Sequence, residues 1–138
     1  MVGGLTYLVD TNVWLELLLE RANAEPVREF LRRVPASALA MSEFTLYSIA
    51  IILTRFRKDD VLQEFLADTL ENGGVTRIRL ETKSLKRVTS VARSLGLEFD
   101  DAYQYVAAEE QDLVIVSFDK DFDRTPRGRK SPAQALAG

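Results

Sequence analysis

Four stretches of this chain set carboxylates directly beside apolar residues. Tyr7-Leu8-Val9 runs into Asp10, and Ala38-Leu39-Ala40-Met41 runs into Ser42-Glu43. Phe99 is followed by Asp100-Asp101, and Leu113-Val114-Ile115-Val116 runs through Ser117-Phe118 to Asp119, Asp121 and Asp123. The runs are apolar throughout rather than alternating, which marks strands buried on both faces. Such strands need helices on either side. In an open parallel sheet, ligands bind along the edge formed by the strands' C-terminal ends. Carboxylates gathered there repel one another unless a hard divalent cation such as Mg²⁺ lies between them.

The intervening segments supply those helices. Residues 5–9, 38–41, 75–80 and 113–117 are expected as strands. Helical spacing covers 12–20, 25–33, 43–56, 59–71, 82–95 and 100–111. Pro26 suits a first helical turn, Asn72-Gly73-Gly74 stops a helix and Gly96 closes another. The helix at 43–56 is apolar nearly all round, so it is central or packs on a partner. Strands alternating with helices predict an α/β fold of three layers, α/β/α, around a central parallel sheet of four to five strands. At 138 residues the chain fits one domain. Repeats and linkers are lacking, and residues from about 124 to 138 read as a basic tail.

The chain has no Cys and no His. This excludes disulfides, thiolate zinc sites, Ser-His or Cys-His nucleophiles and imidazole general bases. Hydrolysis would rest on carboxylates, hydroxyls, Lys or Arg, or a metal. Met1-Val2-Gly3-Gly4 carries no basic region before a long apolar run, and the Ser48–Leu53 stretch is too short to span a bilayer. A cytoplasmic protein without a membrane segment is the expectation.

The net charge of −3 gives no whole-surface case for nucleic acid. The basic residues are uneven, however. Arg124, Arg127, Arg129 and Lys130 follow directly on the acidic 119–123 segment. A basic rim beside an acidic pocket suits a phosphate-backbone substrate, and a solvated tail is the plainer alternative. Each acidic signal also has a plain reading. Asp10-Thr11-Asn12 and Asp100-Asp101 both stand at helix starts, where they serve as caps or favour the helix dipole. Glu43 is an ordinary first-turn acid. Phe118 and Phe122 argue that the 119–123 loop is pinned to the core.

Taken in order, these stretches resemble the PIN domain family, the Mg²⁺-dependent ribonuclease fold of many VapC-type toxins. Val9-Asp10-Thr11-Asn12-Val13-Trp14 resembles its opening motif. Phe99-Asp100-Asp101-Ala102-Tyr103-Gln104-Tyr105-Val106-Ala107-Ala108 resembles its Asp-Ala helix. Val116-Ser117-Phe118-Asp119-Lys120-Asp121-Phe122 resembles its acidic loop. The likeness implies catalytic carboxylates at Asp10, Asp101 and Asp119, with Mg²⁺ or Mn²⁺ held by Asp10, Asp101, Asp119 and Asp121. It implies Thr11, Asn12, Ser117, Asp100 and Ser48 as residues behind or beside those ligands, and Arg124, Arg127, Arg129 and Lys130 as contacts to RNA. It further implies a cognate antitoxin and a homodimer.

One departure stands out. The family's second acid follows Ser-x-x-Thr-x-x, and here Ser42-Glu43-Phe44-Thr45-Leu46-Tyr47 leads to Ser48. Glu43 lies some 140° round the helix from that position at ~3.6 residues per turn. It can stand in only if the helix begins after it. The expectation is therefore a three-acid site, a rewired site with Glu43, or weakened activity. A PIN-like module that binds RNA or a protein partner without cleaving is the main rival. A haloacid-dehalogenase-type phosphatase wants a second Asp at position 12, where this chain has Asn12.

Overall fold

A computed structural model describes residues 4–138. Four short strands form one wholly parallel sheet: β1 (Tyr7–Val9), β2 (Leu39–Ser42), β3 (Thr76–Ile78) and β4 (Val114–Val116). Their order is β3-β2-β1-β4. The direction of winding thus reverses between β1 and β4, and the crevice beyond their C-terminal ends is where such sheets bind ligands.

Seven α-helices flank the sheet: α1 (Thr11–Leu18), α2 (Ala24–Arg33), α3 (Glu43–Arg55), α4 (Asp59–Leu66), α5 (Thr82–Leu95), α6 (Phe99–Gln111) and α7 (Pro132–Ala137). Side chains of a strand alternate between its faces, and the two cores follow that rule. Leu8, Ala40, Ile78 and Ile115 pack with α5 and α6. Val9, Leu39, Met41 and Val116 pack on the other face with α1, α2, α3, α4 and α7. Both faces are therefore dry, as the apolar runs predict, and the fold is a three-layer α/β/α sandwich. None of the helices is long and apolar enough to cross a membrane.

Two segments differ from the sequence reading. The helix expected over 59–71 loosens after Leu66 into a π-turn, Ala67–Glu71. Gly73 then passes so close to the Asp68 carbonyl that a Cβ there would lie 1.9 Å from its oxygen. The basic tail is not a tail. Lys130 bridges Val116 in parallel register, with its N–H donating to Ile115 and its carbonyl accepting from Ser117. Beyond it α7 starts with a capping box at Ser131 and Gln134, and Ala135 joins the core beside α2. Charge composition marks the segment as solvated. The backbone valences left open at the edge of β4 recruit it to the sheet.

Candidate active site

Asp10 follows β1 and caps α1, its Oδ1 accepting from the Thr11 N–H at 2.8 Å. Asp119 follows β4 and caps the 3₁₀ turn Lys120–Arg124, accepting from the Asp121 N–H at 2.9 Å. Asp100 and Asp101 occupy the first turn of α6. Capping and site placement are thus the same event: a strand that ends at a capping carboxylate presents it at the sheet edge. These acids line one open cavity of about 290 Å³, together with Thr11, Asn12, Phe44, Ser48 and Gln104.

The pocket's polar floor is one connected network. Asp10 is 6% exposed. Its Oδ1 also accepts from Gln104 Nε2 at 2.8 Å, and its Oδ2 accepts from the Ser117 hydroxyl at 2.7 Å. The Gln104 Nε2 donates as well to Thr45 Oγ1 at 2.8 Å, and its Oε1 accepts from the Ser42 hydroxyl at 2.6 Å. Thr11 Oγ1 donates to Thr45 Oγ1. Ser117 Oγ accepts from the Asp119 N–H and from Asn12 Nδ2, while Asn12 Oδ1 accepts from the Phe118 N–H. Three donors on its two oxygens fix the carboxylate's orientation.

The second group of acids is differently held. Asp101, Asp119 and Asp121 each bring a carboxylate oxygen within 4.8 Å of the others. Burial pushes the Asp101 carboxyl up to about 8, helped by the charges of Asp119, Asp100 and Asp10. Burial also raises Asp10. The hydrogen bonds from Gln104, Ser117 and Thr11 pull it back, and Asp119's charge adds to the rise. Oxygen-only donors whose mutual repulsion a cation would relieve fit a hard divalent ion such as Mg²⁺ or Mn²⁺.

The remaining expected residues fall into three places. Ser48 lines the pocket, so the position where a glutamate was expected does face the acids, with a hydroxyl in its place. Glu43 does not join them. Ser42 caps α3, so the helix begins at Glu43 itself. The side chain turns to β3, where Arg77 Nε donates to its Oε2 at 3.0 Å and the guanidinium forms an ion pair with it. The structure therefore turns Glu43 away from the acids rather than rewiring the site through it.

The expected basic rim is mostly spoken for. Arg124 donates to Asp121 and to the Gly96 carbonyl. Arg129 donates to Asp123 and to the Ser117 carbonyl. Arg127 donates to Asp112 and the Leu113 carbonyl, at the opposite, N-terminal end of β4. Sequence reasoning missed Gln104 altogether. A lone amide three residues after Asp101, hence on the same helix face, in a stretch with Ala102, Val106 and Ala107 was the available signal.

The PIN domain family model matches residues 7–128. The chain belongs to the PIN domain family. Solved structures with the same fold include a toxin–antitoxin complex from Klebsiella pneumoniae, at 20% identity and a TM-score of 0.74, over 92% of this chain and 98% of that one. VapC20 of Mycobacterium tuberculosis, a Sarcin-Ricin loop cleaving toxin, is similar at 19% identity and a TM-score of 0.73, over 86% and 93%. FitAcB from Neisseria gonorrhoeae is similar at 22% and 0.71, over 92% and 98%. A comparison with curated proteins finds no match. PIN membership accounts for the order of the acidic motifs, and the structure supplies their geometry.

Proposed function

We propose that this PIN domain is a Mg²⁺- or Mn²⁺-dependent endoribonuclease, and the toxin of a toxin–antitoxin pair. The observation that carries the reading is the convergence of Asp101, Asp119 and Asp121 within 4.8 Å, with Asp101 and Asp119 lining the same cavity as a braced Asp10. Asp101, Asp119 and Asp121 would hold the ion, with Asp10 completing the site. A bound ion would polarise the phosphodiester and acidify the attacking water. The protein's own part is positional. Gln104, Ser117 and the Thr11 N–H aim Asp10 and oppose the rise that burial imposes on its carboxyl, Asn12 ties the Ser117–Phe118 turn to α1, and Asp100 adds negative charge to the lining. A toxin–antitoxin complex among the structural neighbours supports the antitoxin partner, and a homodimer belongs to the same proposal.

The test is cleavage of single-stranded RNA by the purified protein with Mg²⁺, with Mn²⁺ and with EDTA. Cleavage that needs the metal and vanishes in Asp101→Asn is expected. Metal-independent cleavage, or cleavage that survives this change, rejects the site. Ser48 facing the pocket without a carboxylate favours a second reading, an RNA- or protein-binding module that does not cleave. Mn²⁺ titration separates the two: an intact site is stabilised against heat by the ion, and a degenerate one is not.

A further inference from the structure

Arg21 is the one basic side chain lining the acidic cavity among the described residues, and no acid among them forms an ion pair with it. Its position follows from how α1 ends. Glu20 takes a left-handed conformation, φ 51°. The Arg21 N–H donates to the Glu16 carbonyl at 2.9 Å and the Glu20 N–H to the Leu17 carbonyl at 3.1 Å. This is the paired hydrogen-bond pattern of a Schellman stop, with glutamate at the position that glycine usually fills. The Arg21 carbonyl then accepts from the Ala24 N–H at 3.1 Å. The Glu16 carboxylate is committed to the Asn23 N–H at 2.9 Å. The corner is therefore pinned on both sides of Arg21, and the acid nearest in sequence on α1 is occupied elsewhere.

We infer that Arg21 is a substrate-binding residue that grips a phosphate of the RNA strand as it crosses the mouth of the cavity. At about 290 Å³ the cavity lies at the low end of ligand pockets, so it admits the reacting phosphodiester but not the strand on either side. The flanking phosphates must lie over the rim, where the lining is otherwise acidic or neutral. A guanidinium there offers paired N–H donors matched to phosphate oxygens. It contacts backbone and carries no sequence preference. Arg124, Arg127 and Arg129 already donate to acids and carbonyls of the protein, so Arg21 takes the role that composition assigned to them.

This inference rests on the nuclease reading, and the experiment separates the two. Cleavage of a fluorescein-labelled single-stranded RNA is followed in Mn²⁺ across a salt series for wild type, Arg21→Ala and Arg21→Lys, with Mn²⁺ thermal shifts recorded alongside. Arg21→Ala should raise KM about tenfold, as loss of a charged hydrogen bond does, with kcat within about twofold. The slope of log(1/KM) against log[salt] should shrink by ~0.7, the value of one single-strand phosphate contact. Arg21→Lys should keep the slope, and the Mn²⁺ shift should be the same in all three. An active wild type whose KM and slope are unmoved by Arg21→Ala overturns the role of Arg21 alone. So does a raised KM with an unchanged slope. A wild type that neither cleaves nor is stabilised by Mn²⁺ overturns the nuclease reading and Arg21's role with it.

Discussion

Asp10 and Asp101 face the same cavity, and burial raises both carboxyls, yet the protein holds them in opposite ways. Asp10 accepts from one backbone N–H and two side chains drawn from α1, α6 and the end of β4. Asp101 is partly buried and has the carboxylates of Asp119, Asp100 and Asp10 for company. Asp10 therefore joins three elements as well as serving the site. Asp101 stands under the repulsion of its neighbours, which a bound cation would relieve. Repulsion alone treats the acids as equivalent, whereas the hydrogen-bond network separates them.

The largest effect should be common to both. Asp10→Asn and Asp101→Asn should each lower metal-dependent RNA cleavage by at least ~10³-fold, the upper end for removing one preorganised electrostatic group. An RNA cleavage assay with purified variants checks this, and a variant retaining wild-type rates removes that acid from the site.

The comparison sharpens at Gln104. Gln104→Leu leaves Asp10, Thr45 and the Ser42 hydroxyl short of partners. It should weaken Mn²⁺ binding about 10–100-fold and cost about 1–3 kcal/mol of stability, read by Mn²⁺ titration and urea unfolding. The braced-carboxylate account fails if both stay at wild-type values.

pH then separates the two acids in the absence of metal. Asp101 is protonated in the native state up to about 8, whereas an unfolded carboxyl titrates near ~4. The native state thus binds the extra proton between these values. Stability from this group is full below ~pH 4 and is lost as pH rises through 8. In EDTA, Asp101→Asn should match wild type at pH 5 and melt roughly 3 °C higher at pH 8, the equivalent of about 1 kcal/mol, with solvent screening keeping it modest. Asp10→Asn should show no such gain, because it disturbs a satisfied network. Equal pH profiles for the two variants would break the distinction.

The smallest effect belongs to Glu43. Glu43→Gln should leave cleavage within about twofold and cost at most ~1 kcal/mol, since its pair with Arg77 is partly exposed. A large loss of activity would return Glu43 to the site.

Much of this was legible beforehand because it is local. Apolar runs such as Leu8-Val9 and Ile115-Val116 announce doubly covered strands, and helix α5 spans the predicted 82–95. Asp10, Asp101 and Asp119 stand at strand ends or helix starts, so secondary structure alone carries them towards one edge. Glu43 and Ser48 were separable only by where α3 begins, which the Ser42 cap decides. Arg127 and Arg124 are three residues apart in the chain and lie towards opposite ends of β4, because the chain turns between them. Sequence proximity made a basic rim of which Arg124, Arg127 and Arg129 are taken up by ion pairs.

The sequence by itself determined a parallel α/β sandwich with acids at its ligand-binding edge, since periodicity and capping are properties of neighbouring residues. Tertiary structure alone decided which acid is braced and which is left under repulsion. It alone brought Gln104 to Asp10 across 94 positions, and folded the basic segment against β4. It also set the exposed Arg21 in the lining of the acidic cavity. Hydrogen-bond partners and charge pairs depend on distance through space, and only the folded chain fixes that distance.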